Sequence, residues 1–265
     1  MLSARQPALA LSLLAALIAP LAACSRREEA PAPPPAAPPP AATIVAPALP
    51  PPPLGREEVL RATADAAAAQ AARAAYPETA ARLSGRQFRL RLPFGCFGPA
   101  EDASLAYAYD QPRGVLRLTA RPQAWTGTPL AALAQDGAPV EAVEGFWIRR
   151  PWLLAETCPS SPPASTGAQP SSETVGLAQV FEKGGSRIGR RGGQPYELTR
   201  KAALDPGWMA GFRLVLEGRI AQAEGRPIRC RSDHPDRRPV CLIRVELDRV
   251  AFETAGGEVL GEWDG

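Results

Sequence analysis

QFRLRL, residues 87–92, places Phe88, Leu90 and Leu92 on one face of an extended chain and Arg89 and Arg91 on the other. A period of two is the signature of a half-buried β-strand. Downstream, SLAYAY (104–109) aligns Leu105, Tyr107 and Tyr109. DQPRG is a turn, and VLRLTAR (115–121) returns with Leu116, Leu118 and Ala120 on one face, so the two form a hairpin. EGFWIRRPWLL (144–154) reads as a strand with Phe146, Ile148 and Trp152 inward. VGLAQVFE (175–182), the turn KGGS and PYELT (195–199) read as a second hairpin.

The same period continues through GFRLVLEGRIAQA, PIRCR, PVCLIRVELDRVAFE and VLGEW towards residue 263. Short strands, each half polar, with neither a repeat nor βαβ alternation, predict a mainly β fold: an antiparallel sandwich or small barrel.

Two helices are expected. REEVLRATADAAAAQAARAA (56–75) is strongly helix-forming, with Glu57 and Glu58 in the first turn, where they complement the helix dipole. Its apolar face is mostly alanine, so residues 56–84 suit an exposed stalk or a docked helix equally. The second is short, PLAALAQ, capped at Thr128-Pro129 and ended near Gly137. Residues 159–173 are rich in Pro, Ser and Thr and predict a long loop.

The opening residues belong to no β domain. Arg5 and the amine of Met1 precede a dozen apolar residues, ALALSLLAALIA (8–19). That run has signal-peptide length and falls short of the roughly 20 residues a spanning helix needs. Leu21-Ala22-Ala23-Cys24 then resembles the lipobox of bacterial lipoproteins. The resemblance covers about the first 25 residues. It implies cleavage before Cys24, diacylglycerol on its thiol and acylation of its new amine, an anchor into the lipid bilayer of the kind that acyl chains make stable. Ser25, in place of Asp, is similar to the signal for the outer membrane. The domain is then expected to face the periplasm, with the periplasmic face of the inner membrane as the alternative.

Residues 24–55 form the next segment. Twelve prolines between Pro31 and Pro53 preclude helix and ladder alike. Such a chain populates polyproline II at about 3.1 Å per residue, so some 25 residues reach roughly 75 Å. The expected organisation is therefore a signal at 1–23, a tether at 24–55, a helix at 56–84 and a β-rich periplasmic domain at 85–265.

Setting Cys24 aside leaves Cys96, Cys158, Cys230 and Cys241. An even count in an exported chain predicts disulfides. Cys230 and Cys241 end neighbouring strands around a ten-residue loop, which pairs them and leaves Cys96 with Cys158. Closing so short a loop contributes about 3 kcal/mol in the chain-entropy picture. The run from Cys230 to Cys241 also holds Asp233, His234 and Asp236, but it lacks the CxxC or HxxxH spacing of zinc sites, so neither metal nor cofactor is expected.

Catalytic motifs are missing as well. His234 is the one histidine, in the polar loop RSDHPDRRP, and no GxSxG, HExxH, phosphate loop or dinucleotide fingerprint appears. A net charge of +3 argues against a nucleic-acid partner. Basic groups do gather in two places: Arg187, Arg190 and Arg191 among glycines, and Arg237-Arg238. They are readable as solvated turns or as grips for phosphate and carboxylate groups. The expected function is non-catalytic: a lipid-anchored envelope protein whose β domain binds a protein, peptidoglycan or lipopolysaccharide. The alternative is a tethered hydrolase using a carboxylate pair.

Overall fold

A computed structural model of the chain describes residues 50–100, 103–135, 137–161 and 173–265. The expected signal peptide, Cys24 and the expected tether as far as residue 49 lie outside the described residues, as does most of the loop predicted at 159–173. Residues 50–265 form one compact unit.

The strands are β1 (Gln87–Phe94), β2 (Leu105–Asp110), β3 (Val115–Ala120), β4 (Gln123–Ala124), β5 (Val140–Trp147), β6 (Val175–Glu182), β7 (Tyr196–Lys201), β8 (Phe212–Ile220), β9 (Ile228–Arg231), β10 (Val240–Thr254) and β11 (Val259–Asp264). The helices are α1 (Arg56–Ala72), α2 (Glu78–Ala81) and α3 (Ala131–Ala134). Among the described residues strand makes up 39% and helix 16%, so the protein is mainly β, with two sheets arranged as a sandwich and no closed barrel among those residues.

The large sheet runs β1-β8-β10-β6-β5-β4, with β9 and β11 also on β10; the small sheet runs β2-β3-β7. β10 is the spine. Its first half is flanked by β6 and β9, its second by β8 and β11. The apolar face of QFRLRL sits in the core with Leu116 and Leu118 of β3 and Leu214 and Leu216 of β8. Burying a side chain of this kind contributes about 1.5–3 kcal/mol relative to leaving it exposed.

The polar face of the same stretch builds a chain of charges. Glu156, Arg91, Glu253, Arg89, Glu217, Arg249 and Glu262 follow one another in alternating sign, each pair at 2.7–3.3 Å. Registry explains the order at one end, because Glu217 lies across from both Arg89 on β1 and Arg249 on β10.

Several expectations need correction. β6 pairs with β10 in parallel, so the large sheet is mixed rather than antiparallel throughout. PYELT does not return against VGLAQVFE; it pairs with β3 in the other sheet. Tyr196, buried between Phe146 and Trp263, explains the crossing, since its ring fills the sandwich from the β7 side. The strand in EGFWIRRPWLL begins earlier, at Val140, and stops at Trp147. The chain turns there, with Arg150 at φ 50, which leaves Trp152 47% exposed rather than inward. Thr128 does not cap a helix: its hydroxyl donates to the Trp125 carbonyl, and only Ala131–Ala134 is helical.

Residues 56–84 are docked. Val59 and Leu60 of α1 are buried in the core, and Leu54 just before it is buried in a bridge to Phe88, so the fold begins inside the expected tether. Glu58 fixes the start of α1 by accepting the Gly55 N–H at 2.6 Å. Arg56, also buried, locks the helix to a distant loop. Its guanidinium donates to the carbonyls of Arg149, Arg150 and Leu153 at 2.8–3.1 Å.

Candidate ligand cleft

The basic residues singled out by sequence fall into different environments. Arg187 and Arg190 both bind Glu141 on β5, at 2.8 and 2.5 Å. The backbone N–H groups of Arg191 and Gly192 donate to the buried Glu144 carboxylate. The Arg191 guanidinium lies over the Tyr196 ring at 4.5 Å and donates to the Pro195 carbonyl. These charges hold the β6–β7 connection down on β5, and the sequence could not show it because both acids come from another hairpin. Hydrogen bonds from Arg190 and Arg187 hold the Glu141 carboxyl below its ordinary range.

Arg237 and Arg238 are exposed on the β9–β10 loop and form no ion pair among the described residues. The two basic groups do not meet. One follows the end of β6, the other adjoins its start beside Cys241, and eight residues of strand span about 23 Å. His234 stays in that same loop, accepting the Asp236 N–H on Nδ1 at 3.2 Å. Among the described residues, no three His, Cys, Asp or Glu side chains converge as metal ligands would.

The sulfurs join Cys96 to Cys158 and Cys230 to Cys241. The second pair lies directly opposite in the β9–β10 register, with Cα atoms 4.0 Å apart.

A cleft of about 760 Å³ opens beside this second disulfide. Its origin is legible in α1. Ala66, Ala69, Gln70 and Arg73 recur at i, i+3, i+4 and i+7, one helical face. Alanine methyls cannot fill the gap between that face and Ile228, Arg229 and Cys230 of β9, so the gap stays open. Leu133 of α3 also lines it. Tyr76 is part of the lining. Its oxygen accepts the Ile228 N–H at 3.2 Å, which leaves the O–H free to donate. Partial burial pushes its phenol above the ordinary value, so it remains a donor at neutral pH.

Arg73, Arg226 and Arg229 line the cleft, with Glu224 as its one carboxylate. Arg226 lies over the Tyr76 ring at 5.5 Å, and Arg229 donates to the Gln135 carbonyl. Arg73 and Glu224 both have positive φ, at 51° and 45°. Such backbone is costly for residues with a Cβ, and it clusters at binding sites. Polar groups facing the cleft are thus mainly donors of positive character, suited to carboxylate or phosphate. Sequence reading missed this site: its basic residues are some 150 positions apart, and the alanine run gave only a weak apolar face.

No protein family matches this chain, and neither a curated protein nor a solved structure shows significant similarity to it. Among the described residues, no helix is long and apolar enough to cross a membrane.

Proposed function

We propose that the protein is a non-catalytic envelope lipoprotein whose β domain binds an anionic envelope polymer, or an acidic protein segment, in the cleft between α1 and β9. Cys24 would carry the acyl anchor, the Pro/Ala tether would give reach, and the outer membrane, periplasmic side, is the expected location. The observation that carries the reading is the cleft's donor set, Arg73, Arg226 and Tyr76 against Glu224 as the single lining carboxylate. Two disulfides suit an oxidising compartment.

The test is retention of the purified lipoprotein on peptidoglycan sacculi and on lipopolysaccharide. Arg226→Ala combined with Arg73→Gly, which also relieves the positive φ, should weaken retention at least ten-fold. Retention equal to the parent's on both polymers overturns the cleft as the site. Soluble fragments released from either polymer during the incubation would instead support the carboxylate-pair hydrolase. Substituting Cys24→Ser should release the protein from membranes or leave its precursor uncleaved; a variant processed and bound like the parent overturns the anchor.

A further inference from the structure

Among the described residues β9 pairs only with β10, so one edge of this strand is open. Three hydrogen bonds show which backbone groups face outward. The Pro227 carbonyl accepts the Arg244 N–H, so Pro227 turns towards β10. Ile228 turns the other way and donates its N–H to the Tyr76 oxygen at 3.2 Å. Cys241, opposite Cys230, donates to the Thr174 carbonyl on its far side. Opposed residues of an antiparallel pair alternate between bonded and unbonded. Cys230 therefore directs its N–H and carbonyl away from β10, as Ile228 does. Neither group has a partner among the described residues.

The edge of β1 is closed by contrast. Leu54 exchanges hydrogen bonds with Gln87 and Arg89, the Glu156 carboxylate takes the Arg91 N–H, and Pro93 has no N–H to offer. Such devices keep an edge from pairing with another chain. The open edge of β9 instead faces the cleft, which Ile228, Arg229 and Cys230 line. Across it stand Ala66 and Ala69 of α1, whose methyls leave room beside that edge.

Charge and backbone together select the occupant. Arg73 and Arg226 line the cleft against one carboxylate, Glu224. A sugar or phosphate chain uses the arginines alone. An extended polypeptide also meets the Cys230 N–H and carbonyl at ladder spacing, while its alternate side chains reach arginine or alanine.

We infer that the cleft takes an extended acidic polypeptide segment, added as a strand to the β9 edge at Cys230. This inference rests on the reading of the cleft as the ligand site.

The experiment separates the two. The full chain, purified in detergent with its disulfides intact, is titrated with an array of blocked hexapeptides that carry glutamate at alternate positions and vary the residues between. A bound peptide should move the Cys230 amide proton downfield and slow its exchange. N-methylation of that peptide in one alternate register keeps every charge and removes the ladder bonds; it should weaken binding about ten-fold, and methylation in the other register should not. Ala69→Leu, which fills the groove and suits a helix, should also weaken it about ten-fold, with an unchanged far-ultraviolet spectrum. Equal binding of the two methylated peptides, or an unmoved Cys230 amide, overturns the added strand without recourse to a variant. Retention on sacculi or lipopolysaccharide that Arg226→Ala with Arg73→Gly weakens, while no peptide of the array binds, overturns the strand and leaves the cleft standing. Peptide binding and retention that both survive that double substitution overturn the cleft, and the added strand with it.

Discussion

The Glu253 carboxylate accepts Arg91 Nε at 3.0 Å while being only 1% exposed, and its other oxygen accepts Arg89 at the same distance. One buried acid on β10 thus satisfies two cations projecting from the polar face of β1. An isolated buried carboxylate is expensive, and a doubly hydrogen-bonded one is not.

Glu253→Gln should therefore destabilise the domain by about 1.5–3 kcal/mol, the range for hydrogen bonds to charged groups. Glu262, at the exposed end of the same charge chain, is 61% exposed, and Glu262→Gln should cost within about 0.5 kcal/mol. Urea midpoints at neutral pH compare the two. Equal losses would mean the chain acts as one unit.

Arg56 is buried with one nitrogen, Nη1, lacking a partner among the described residues, and burial pushes its guanidinium down to about 10 although Glu156 acts the other way. Lysine keeps the charge and loses the fork that reaches three carbonyls. Arg56→Lys should cost about 1–3 kcal/mol and speed hydrogen exchange across residues 149–154. Unaltered exchange there would show that the loop is held by its disulfide alone.

Gly211, at φ 82, leaves room for neither a Cβ nor a shift. An added carbon would lie 2.7 Å from the Phe94 carbonyl oxygen and 2.8 Å from Cys158 Sγ. Gly211→Ala should lower stability by at least about 1–3 kcal/mol from backbone strain, read as a drop in Tm. Gly184, at φ 80 with open space around it, should tolerate alanine with the smaller loss.

The β6–β7 connection should loosen in acid. The Glu141 carboxyl is depressed by Arg190 and Arg187 in the fold, so its contribution is present above the ordinary carboxylate pKa of about 4.3 and is lost as pH falls through the lower folded value. The carboxyl carbon shift of Glu141 should titrate below that of a free glutamate, and Arg190→Gln should move it back upward.

Sequence by itself determined the mainly β class, because strand period is written locally in alternations such as QFRLRL and VLRLTA. It also set a helix starting at Arg56 through alanine content and the glutamates of its first turn, and it paired Cys230 with Cys241 through the short loop between them, leaving Cys96 for Cys158. The resemblance to a lipobox is local in the same sense, a run of four residues. Tertiary structure alone decided what lies between distant segments. Tyr196 sends β7 to the small sheet because a sandwich core must be filled from both sides. Glu141 and Glu144 neutralise a turn some 45 residues away, which removes it as an open grip for anions. The cleft exists because alanines on α1 meet β9 across a gap no local pattern encodes. Trp152 faces solvent because Arg56, nearly a hundred residues earlier, holds the backbone beneath it.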